Sequence, residues 1–323
     1  MCIRDSVYDD AARATAQALN FLKMRALESD ERPFFMYLHY MDTHEPYCPP
    51  ASFRRKFLQG KAIEGIPDSS LVGAIRRLGM KRGLNELTPQ DAPIVERARD
   101  MYLASANYVD CQVGKLIRFL KEKYLYHNSI VVFTADHGEE FGEHGWIGHS
   151  RTLYREVLEV PLVMAGPGIA RGAVVDGIVA SVDIVPALAR MAIGAGAASF
   201  EGEAGAIIDG CGNKDIVSSV QHAAGASHPD YHALAVTTRT AKRYIRTRHL
   251  DKSGNITSIE HELYDLRRDR AELNNLAAEH ADFCASAASE INAQLKRREN
   301  RSGMVVQIPK ESQEALRSLG YLN

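Results

Sequence analysis

Residues 131–150 read VVFTADHGEEFGEHGWIGHS. The run from Ile130 to Thr134 is β-branched and almost continuously apolar, as in a strand covered on both faces. It breaks off at Asp136-His137-Gly138, and Glu139, Glu140, Glu143, His144 and His149 follow within a few residues. A loop so rich in carboxylates and imidazoles just past a strand end has two readings. It either presents ligands to a divalent cation, for which these donor types are suited, or it is a polar surface turn whose Asp-His-Gly caps the next helix.

The flanking segments give that strand its context. Upstream, Val95 to Tyr124 carries Tyr102, Ala106, Val109, Val113, Leu116, Ile117 and Leu120 at spacings of three and four, which predicts a long helix with one apolar stripe. Earlier still, Val7 to Glu28 is a second amphipathic helix. Phe34 to Tyr40 (FFMYLHY) suits a short buried strand, ended by Asp42-Thr43-His44-Glu45-Pro46-Tyr47. Downstream, Pro161 to Ala165 is another buried strand, stopped by Gly166-Pro167-Gly168, and Val182 to Ala192 starts a helix with Asp183 as its N-cap. Residues 51–93, charged and dotted with Gly and Pro, read as an irregular insertion outside the core. Alternating helices and buried strands predict an α/β domain on a mostly parallel sheet.

Beyond Gly194 the composition turns to Gly and small residues, which divides the chain into units 1–197 and 198–323. Strand-like pieces at Ala233 to Thr238 and Arg243 to Arg248, a turn at Ser253-Gly254-Asn255 and a helix from about Ala277 to Arg298 make the second unit a small α+β subdomain.

With 45% hydrophobic and 25% charged residues, the 323-residue chain has the balance of a globular protein with a substantial core. A net charge of −2 gives no whole-protein field toward nucleic acid or an anionic membrane. The basic stretches Arg239 to His249 and Lys296 to Arg301 read as solvated faces. No run of about 18 apolar residues exists to span a membrane, and the first residues show no apolar signal core. The five cysteines are scattered, with no C-x-x-C pair, so neither a zinc knuckle nor a disulfide framework is expected.

In open α/β sheets, ligands sit beyond the carboxyl ends of strands. Asp136-His137 and His44 both fall just past a predicted strand and should face the same side. Other motifs fail. His44-Glu45 and His261-Glu262 lack the second histidine of H-E-x-x-H, and no P-loop or dinucleotide fingerprint is present. Gly148-His149-Ser150-Arg151-Thr152 lacks the last glycine of a nucleophile elbow.

Taken in order, the motifs resemble the sulfatases, within the alkaline-phosphatase-like superfamily of metal-dependent ester hydrolases. The resemblance rests on Pro33 to His39, Asp42 to Tyr47, Phe133 to Glu139, Leu153-Tyr154-Arg155-Glu156, Val160-Pro161-Leu162 and Asp183 to Pro186. In the second unit it rests on Glu262 to Leu266, Asp269, Glu272 to Leu276 and the tail Leu316 to Leu322. It implies that Asp136 and His137 ligate the catalytic divalent ion, calcium above Mn2+, Mg2+ or Zn2+. It implies that His44 contacts the sulfate and helps protonate the leaving oxygen, and that His149 lies against the sulfate oxygens. His144, Glu139 and Glu140 would shape the loop. The implied substrate is a sulfated small molecule or glycan, with no nucleic-acid partner and no membrane segment in this chain.

The chain also departs from the family pattern. A sulfatase begins with an aspartate pair on its first strand and a C-x-P-[SA]-R motif, whose cysteine becomes the formylglycine nucleophile. Neither is in this sequence. Asp9-Asp10 heads a helix, and Cys48-Pro49-Pro50-Ala51-Ser52 lacks the arginine and follows the His44 segment instead of preceding it, so Cys48 is not expected to be a nucleophile. The expectation is therefore the C-terminal part of a sulfatase, inactive by itself, with formylglycine supplied from the missing N-terminal part and the cellular location open. The alternatives are a phosphodiesterase or phosphonate monoester hydrolase of the same superfamily, and a non-catalytic relative.

Overall fold

The computed structural model describes residues 10–28, 32–58, 73–74, 78, 87–149, 151–194, 202, 204–208, 215–222, 230–251 and 253–301. Met1 to Asp9, much of 51–93, Ser150, Cys211 and the tail from 302 lie outside the described residues.

Helix α1 spans Ala11–Leu27, and the Asp10 carboxylate caps it by accepting from the Arg13 amide. Its small buried residues Ala11, Ala14, Thr15 and Ala18 let it lie close to its neighbours. Helix α2 (Ala51–Phe57) and the long helix α3 (Ala92–Glu122) follow, with Phe53 edge-on to Tyr108 at 5.1 Å. The buried line of α3 runs through Ala98, Met101, Ser105, Tyr108 and Gln112. That face is turned from the expected stripe, because Ser105 and Gln112 are polar yet buried and a count of apolar spacings passes over them. Ala74 and Leu78 are also buried, and Leu78 packs with Tyr47, Val95 and Met101. Part of the expected outlying insertion therefore belongs to the core.

Strand β1 (Val131–Thr134) pairs with β4 (Leu162–Ala165), Val131 opposite Ala165 and Thr134 opposite Leu162. Between them come the hairpin β2 (Glu140–Phe141) and β3 (Ile147–Gly148) and the single-turn helix α4 (Arg155–Leu158). Among the described residues every ladder is antiparallel, where a mostly parallel sheet was expected. The connection explains β1–β4. The segment between them folds as a hairpin and one helical turn in place of a long crossover helix, and the chain re-enters antiparallel. The whole segment 135–161 is thereby gathered at the carboxyl end of β1. Residues 34–40 are not in a strand, and Phe34, Phe35 and Tyr37 are exposed. Apolar composition alone does not make a strand; a neighbouring backbone must supply the hydrogen bonds.

Helix α5 (Ile184–Ile193) follows a 3-10 turn, with Asp183 buried and accepting from the Ala180 amide. After α6 (Ala204–Ile208) comes an antiparallel meander of β5 (Ile216–His222), β6 (Asp230–Thr237), β7 (Lys242–Leu250) and β8 (Ile256–Asp265), then α7 (Ala281–Arg301). Leu234, Val236, Tyr244 and Leu263 pack on Cys284, Ala287 and Ile291 of α7. On the opposite face Ala233, Ala235, Ile245 and Tyr264 cover Leu153, Tyr154 and Leu158. The basic stretch around Arg243 is a central strand and not a solvated face: Arg243 and Arg246 are buried, bonded to Glu272 and Asn292 respectively. Cys48 is disulfide-bonded, contrary to the reading of its spacing, while Cys111 and Cys284 are free thiols. No described helix is long and apolar enough to cross a membrane.

Candidate active site

The turn Asp136-His137-Gly138 sits where β1 ends, and its glycine is needed for room. A Cβ on Gly138 would lie 2.0 Å from the carbonyl oxygen of Glu156. That approach lets the Gly138 amide donate to the Val157 carbonyl at 2.8 Å, which ties the turn to α4. Asp136 Oδ1 accepts from the His137 amide at 3.0 Å. His137 Nδ1 lies 2.9 Å from the Gly138 carbonyl. A carbonyl only accepts, so Nδ1 carries the proton and Nε2 keeps its lone pair. That Nε2 is 3.8 Å from Asp136 Oδ2, a spacing that two ligands of one ion, each about 2.0–2.5 Å from it, can adopt.

His44 reaches this turn from the other side of the sequence. The Asp42 carboxylate accepts from the Ala11 amide at 2.8 Å and fixes its loop to the start of α1. His44 Nδ1 donates to its neighbour's carbonyl, Glu45 O, at 2.7 Å, leaving Nε2 as the working nitrogen. Its ring meets the His149 ring edge-on, with centroids 4.9 Å apart. His149 in turn stacks on His137 at 4.1 Å. The four residues singled out in the sequence, His44, Asp136, His137 and His149, thus form one cluster beside β1.

Two partners of this cluster were missed in the sequence. Glu139 Oε1 accepts from His149 Nδ1 at 2.9 Å, and Glu139 Oε2 accepts from the Tyr47 hydroxyl at 2.8 Å. Tyr47 is buried against Tyr102 and Phe141. Burial and the adjacent Glu139 charge keep its phenol well above the ordinary range, so it stays a donor. Burial opposes a charge on His149, but its Glu139 hydrogen bond and the charges of Glu139, Glu45 and Asp136 outweigh burial and raise its pKa. A tyrosine five positions after a turn aspartate carries no legible signal; its role depends on burial. Cys48, being disulfide-bonded, is no free thiol.

The other loop residues shape the hairpin. Glu140 is buried and accepts from the His144 amide and the Thr152 hydroxyl. His144 stacks on Tyr154 at 3.7 Å and pairs with Glu156 at 3.4 Å. Its burial disfavours charge, yet Glu156, Glu140 and Glu272 together hold its pKa above the usual range. His144, Glu156 and Glu272 offer atoms within 4.8 Å of one another, as a metal site would. Both Glu272 oxygens, however, are already engaged, one by the Arg243 guanidinium at 2.8 Å and the other by the Arg155 amide at 2.6 Å. The trio reads as an internal charge network.

Known proteins resemble this chain in sequence and in fold. The sulfatase family profile matches residues 4–195, and the profile described as N-sulphoglucosamine sulphohydrolase, C-terminal, matches residues 142–301. Iduronate 2-sulfatase of Mus musculus is 32% identical over 171 residues, 48% of this chain and 30% of that protein. Choline-sulfatase of Rhizobium meliloti is 30% identical over 203 residues, 57% of this chain and 36% of that protein. The chain thus spans about a third of the length of these relatives. Among solved structures, a protein in complex with its substrate D-glucosamine-2-N,6-O-disulfate superposes with a TM-score of 0.66 at 19% identity, over 90% of this chain and 70% of that one. The phosphonate monoester hydrolase of Agrobacterium radiobacter gives 0.62 at 17%, over 90% and 62%. The fold is that of the alkaline-phosphatase-like hydrolases, and with the sulfatase profile covering more than half of its residues the chain belongs to the sulfatase family.

Proposed function

We propose that His44, Asp136, His137 and His149 are the metal-binding and proton-donating part of a sulfuric-ester hydrolase site, acting in the complete protein on a sulfated small molecule or glycan. The observation that carries this reading is the convergence of the three imidazoles beside the exposed Asp136 carboxylate. Asp136 Oδ2 and His137 Nε2 would hold a divalent ion, calcium foremost. When bound, that ion would offset negative charge on the nonbridging sulfate oxygens.

The remaining chemistry belongs to the chain's own groups. His149, biased toward its cationic form by Glu139, would face the same anionic oxygens. His44 Nε2, the ring nitrogen left open by the Nδ1 bond to Glu45, would be the one to pass a proton to the leaving oxygen as the S–O bond breaks, a contribution of about 10²–10⁴-fold for a positioned acid. Calcium takes about six to eight oxygen ligands, so two donors alone should bind it weakly. The sequence has no C-x-P-[SA]-R motif to furnish a formylglycine. By itself this chain is therefore expected to bind metal without turning over an aryl sulfate. The proposed division of labour between residues 1–197 and 198–323 keeps the catalytic groups in the first unit.

The test is titration of the 323-residue chain with Ca2+ and Mn2+ by calorimetry, in the wild type and in Asp136→Ala. One weak site lost in the variant is the expected result; equal binding in both would overturn the metal assignment. A protein of full family length, assayed with an aryl sulfate and a phosphonate ester, should prefer the sulfate and lose turnover in His44→Ala. Preference for the phosphonate would favour the phosphoric-ester alternative.

A further inference from the structure

Helix α4 is only four residues long, yet three parts of the molecule meet on it. The Gly138 amide donates to its Val157 carbonyl at 2.8 Å, which holds the Asp136-His137 turn. Its Glu156 side chain pairs with His144 of the β2–β3 hairpin at 3.4 Å. Its first amide, at Arg155, donates to Glu272 Oε2 at 2.6 Å. Tyr154, the residue before the helix, makes no side-chain cap bond to it. Glu272 instead satisfies that amide from 117 residues away.

Glu272 is built for this reach. It has a positive φ of 53°, uncommon for a residue with a side chain. Its side chain is fully buried, and its second oxygen accepts from Arg243 Nη1 at 2.8 Å. Arg243 is anchored in turn by its Nε on the Thr237 hydroxyl at 3.1 Å. Tyr154 adds a parallel tie, its hydroxyl donating to Glu262 of β8 at 2.6 Å. A continuous path therefore runs from β6 and β7 through Arg243, Glu272, Arg155 and Val157 to Gly138. Every link is a hydrogen bond of stated length except the step from Arg155 to Val157, which is the backbone of α4 itself, and the path ends one residue from His137.

We infer that Glu272 is a positioning residue for the Asp136-His137 turn, so that the C-terminal sheet is a working part of the site. The inference rests on the metal reading for its functional consequence, while its structural consequence can be read without metal. Outer partners that orient ligands are worth about 10–100-fold in metal affinity.

The experiment uses the full 323-residue chain as wild type, Glu272→Ala, Glu272→Gln and Arg155→Pro. Arg155→Pro deletes the donating amide at the first helical position, where proline is tolerated, together with the surface pair of Arg155 and Glu159, worth little by itself, and leaves the Glu272–Arg243 pair whole. Hydrogen exchange is followed at the Gly138 amide and in α7, and Mn2+ affinity is measured by titration. Glu272→Ala and Arg155→Pro should speed exchange at Gly138 by about tenfold or more with α7 unchanged, and weaken Mn2+ by about tenfold. Glu272→Gln keeps one carbonyl to accept from Arg155 but turns its NH2 toward Arg243, so its Gly138 exchange should fall between wild type and Glu272→Ala. Unchanged exchange at Gly138 in folded Arg155→Pro overturns the inference, as does equal loss of protection in α7. If Glu272→Ala does not fold, Arg155→Pro and Glu272→Gln decide the matter. Faster Gly138 exchange in a chain whose wild type binds no Mn2+ would support the positioning role and overturn the metal reading.

Discussion

The two sheets flanking α4 are covered to very different degrees. The C-terminal meander has a core on each face: Leu263 and Ile291 are 1% and 0% exposed on the α7 side, and Ala235 and Ile245 are buried on the side of Leu153. The β1–β4 pair leaves Val163 60% and Phe133 40% exposed. Apolar burial is the main favourable term in folding. The meander therefore has its stability in its own side chains, whereas the turn at the end of β1 is held chiefly by what α4 and the meander give it. The candidate site hangs from the better-packed sheet, not from the strand that carries it.

The largest expected effect tests that difference directly. Leu263→Ala should cost about 2–5 kcal/mol by leaving a cavity in a dense core. Val163→Ala should stay within about 0.5 kcal/mol, since little area is buried there. Urea denaturation of both variants measures the contrast, and comparable losses would break it. Reduced self-association of the Val163 variant in sedimentation would sharpen it, because bare apolar surface on a short sheet favours association.

Gly138→Ala should come next, at about 1–3 kcal/mol, as expected for forcing a methyl group into occupied space. Its Cβ has nowhere to go but against the Glu156 carbonyl, so the turn must part from α4. Thermal melting gives the cost, and loss of the Mn2+ site in the same variant would show that the tie to α4 organises the donors. A melt unchanged from wild type would mean that turn and helix move apart freely.

The smallest effect is one of pH. His144, raised by its carboxylate partners against the opposing effect of burial, contributes stability that is full below its unfolded pKa, about 6.5, and lost as pH rises through the raised folded value. Glu156 behaves in the opposite sense: burial raises it, but the His144 pairing lowers it further. Its contribution is full above the ordinary carboxylate range and lost as pH falls through the depressed folded value. The pair therefore stabilises most between those ranges. Denaturation midpoints should decline from neutral to mildly alkaline pH in the wild type and decline less in His144→Gln. His149, raised in the same direction by Glu139, should leave a residual slope. Parallel curves for the two proteins would remove His144 from the account.

The members of the candidate cluster were legible in the sequence. Asp136, His137, His44 and His149 are chemically suited donors placed after apolar runs, and chain order with motif spacing brought them into one reading. Glu139 and Tyr47 escaped because a hydroxyl-to-carboxylate-to-imidazole chain depends on burial and direction, which residue spacing does not encode. The helices were legible in extent but less so in face: in α3 the buried line includes Ser105 and Gln112, whose polarity hides them from an apolar count. The arginines of β7 were read as solvated because isolated charges usually are. Arg243 is buried because Glu272 meets it, and that partner lies 29 residues away.

The sequence by itself determined the alternating α/β plan, the long helix over Val95 to Tyr124, the donor types and the family, since all of these reside in local patterns and ordered motifs. Tertiary structure decided the direction of the β1–β4 pair, whose connection folds as a hairpin and one helical turn in place of a crossover helix. It also decided which face of α3 is buried, and that Glu272 at the far end of the chain holds the helix behind Gly138. Those outcomes turn on which distant backbone and side-chain groups satisfy one another once buried, a constraint that exists only when the chain has closed on itself.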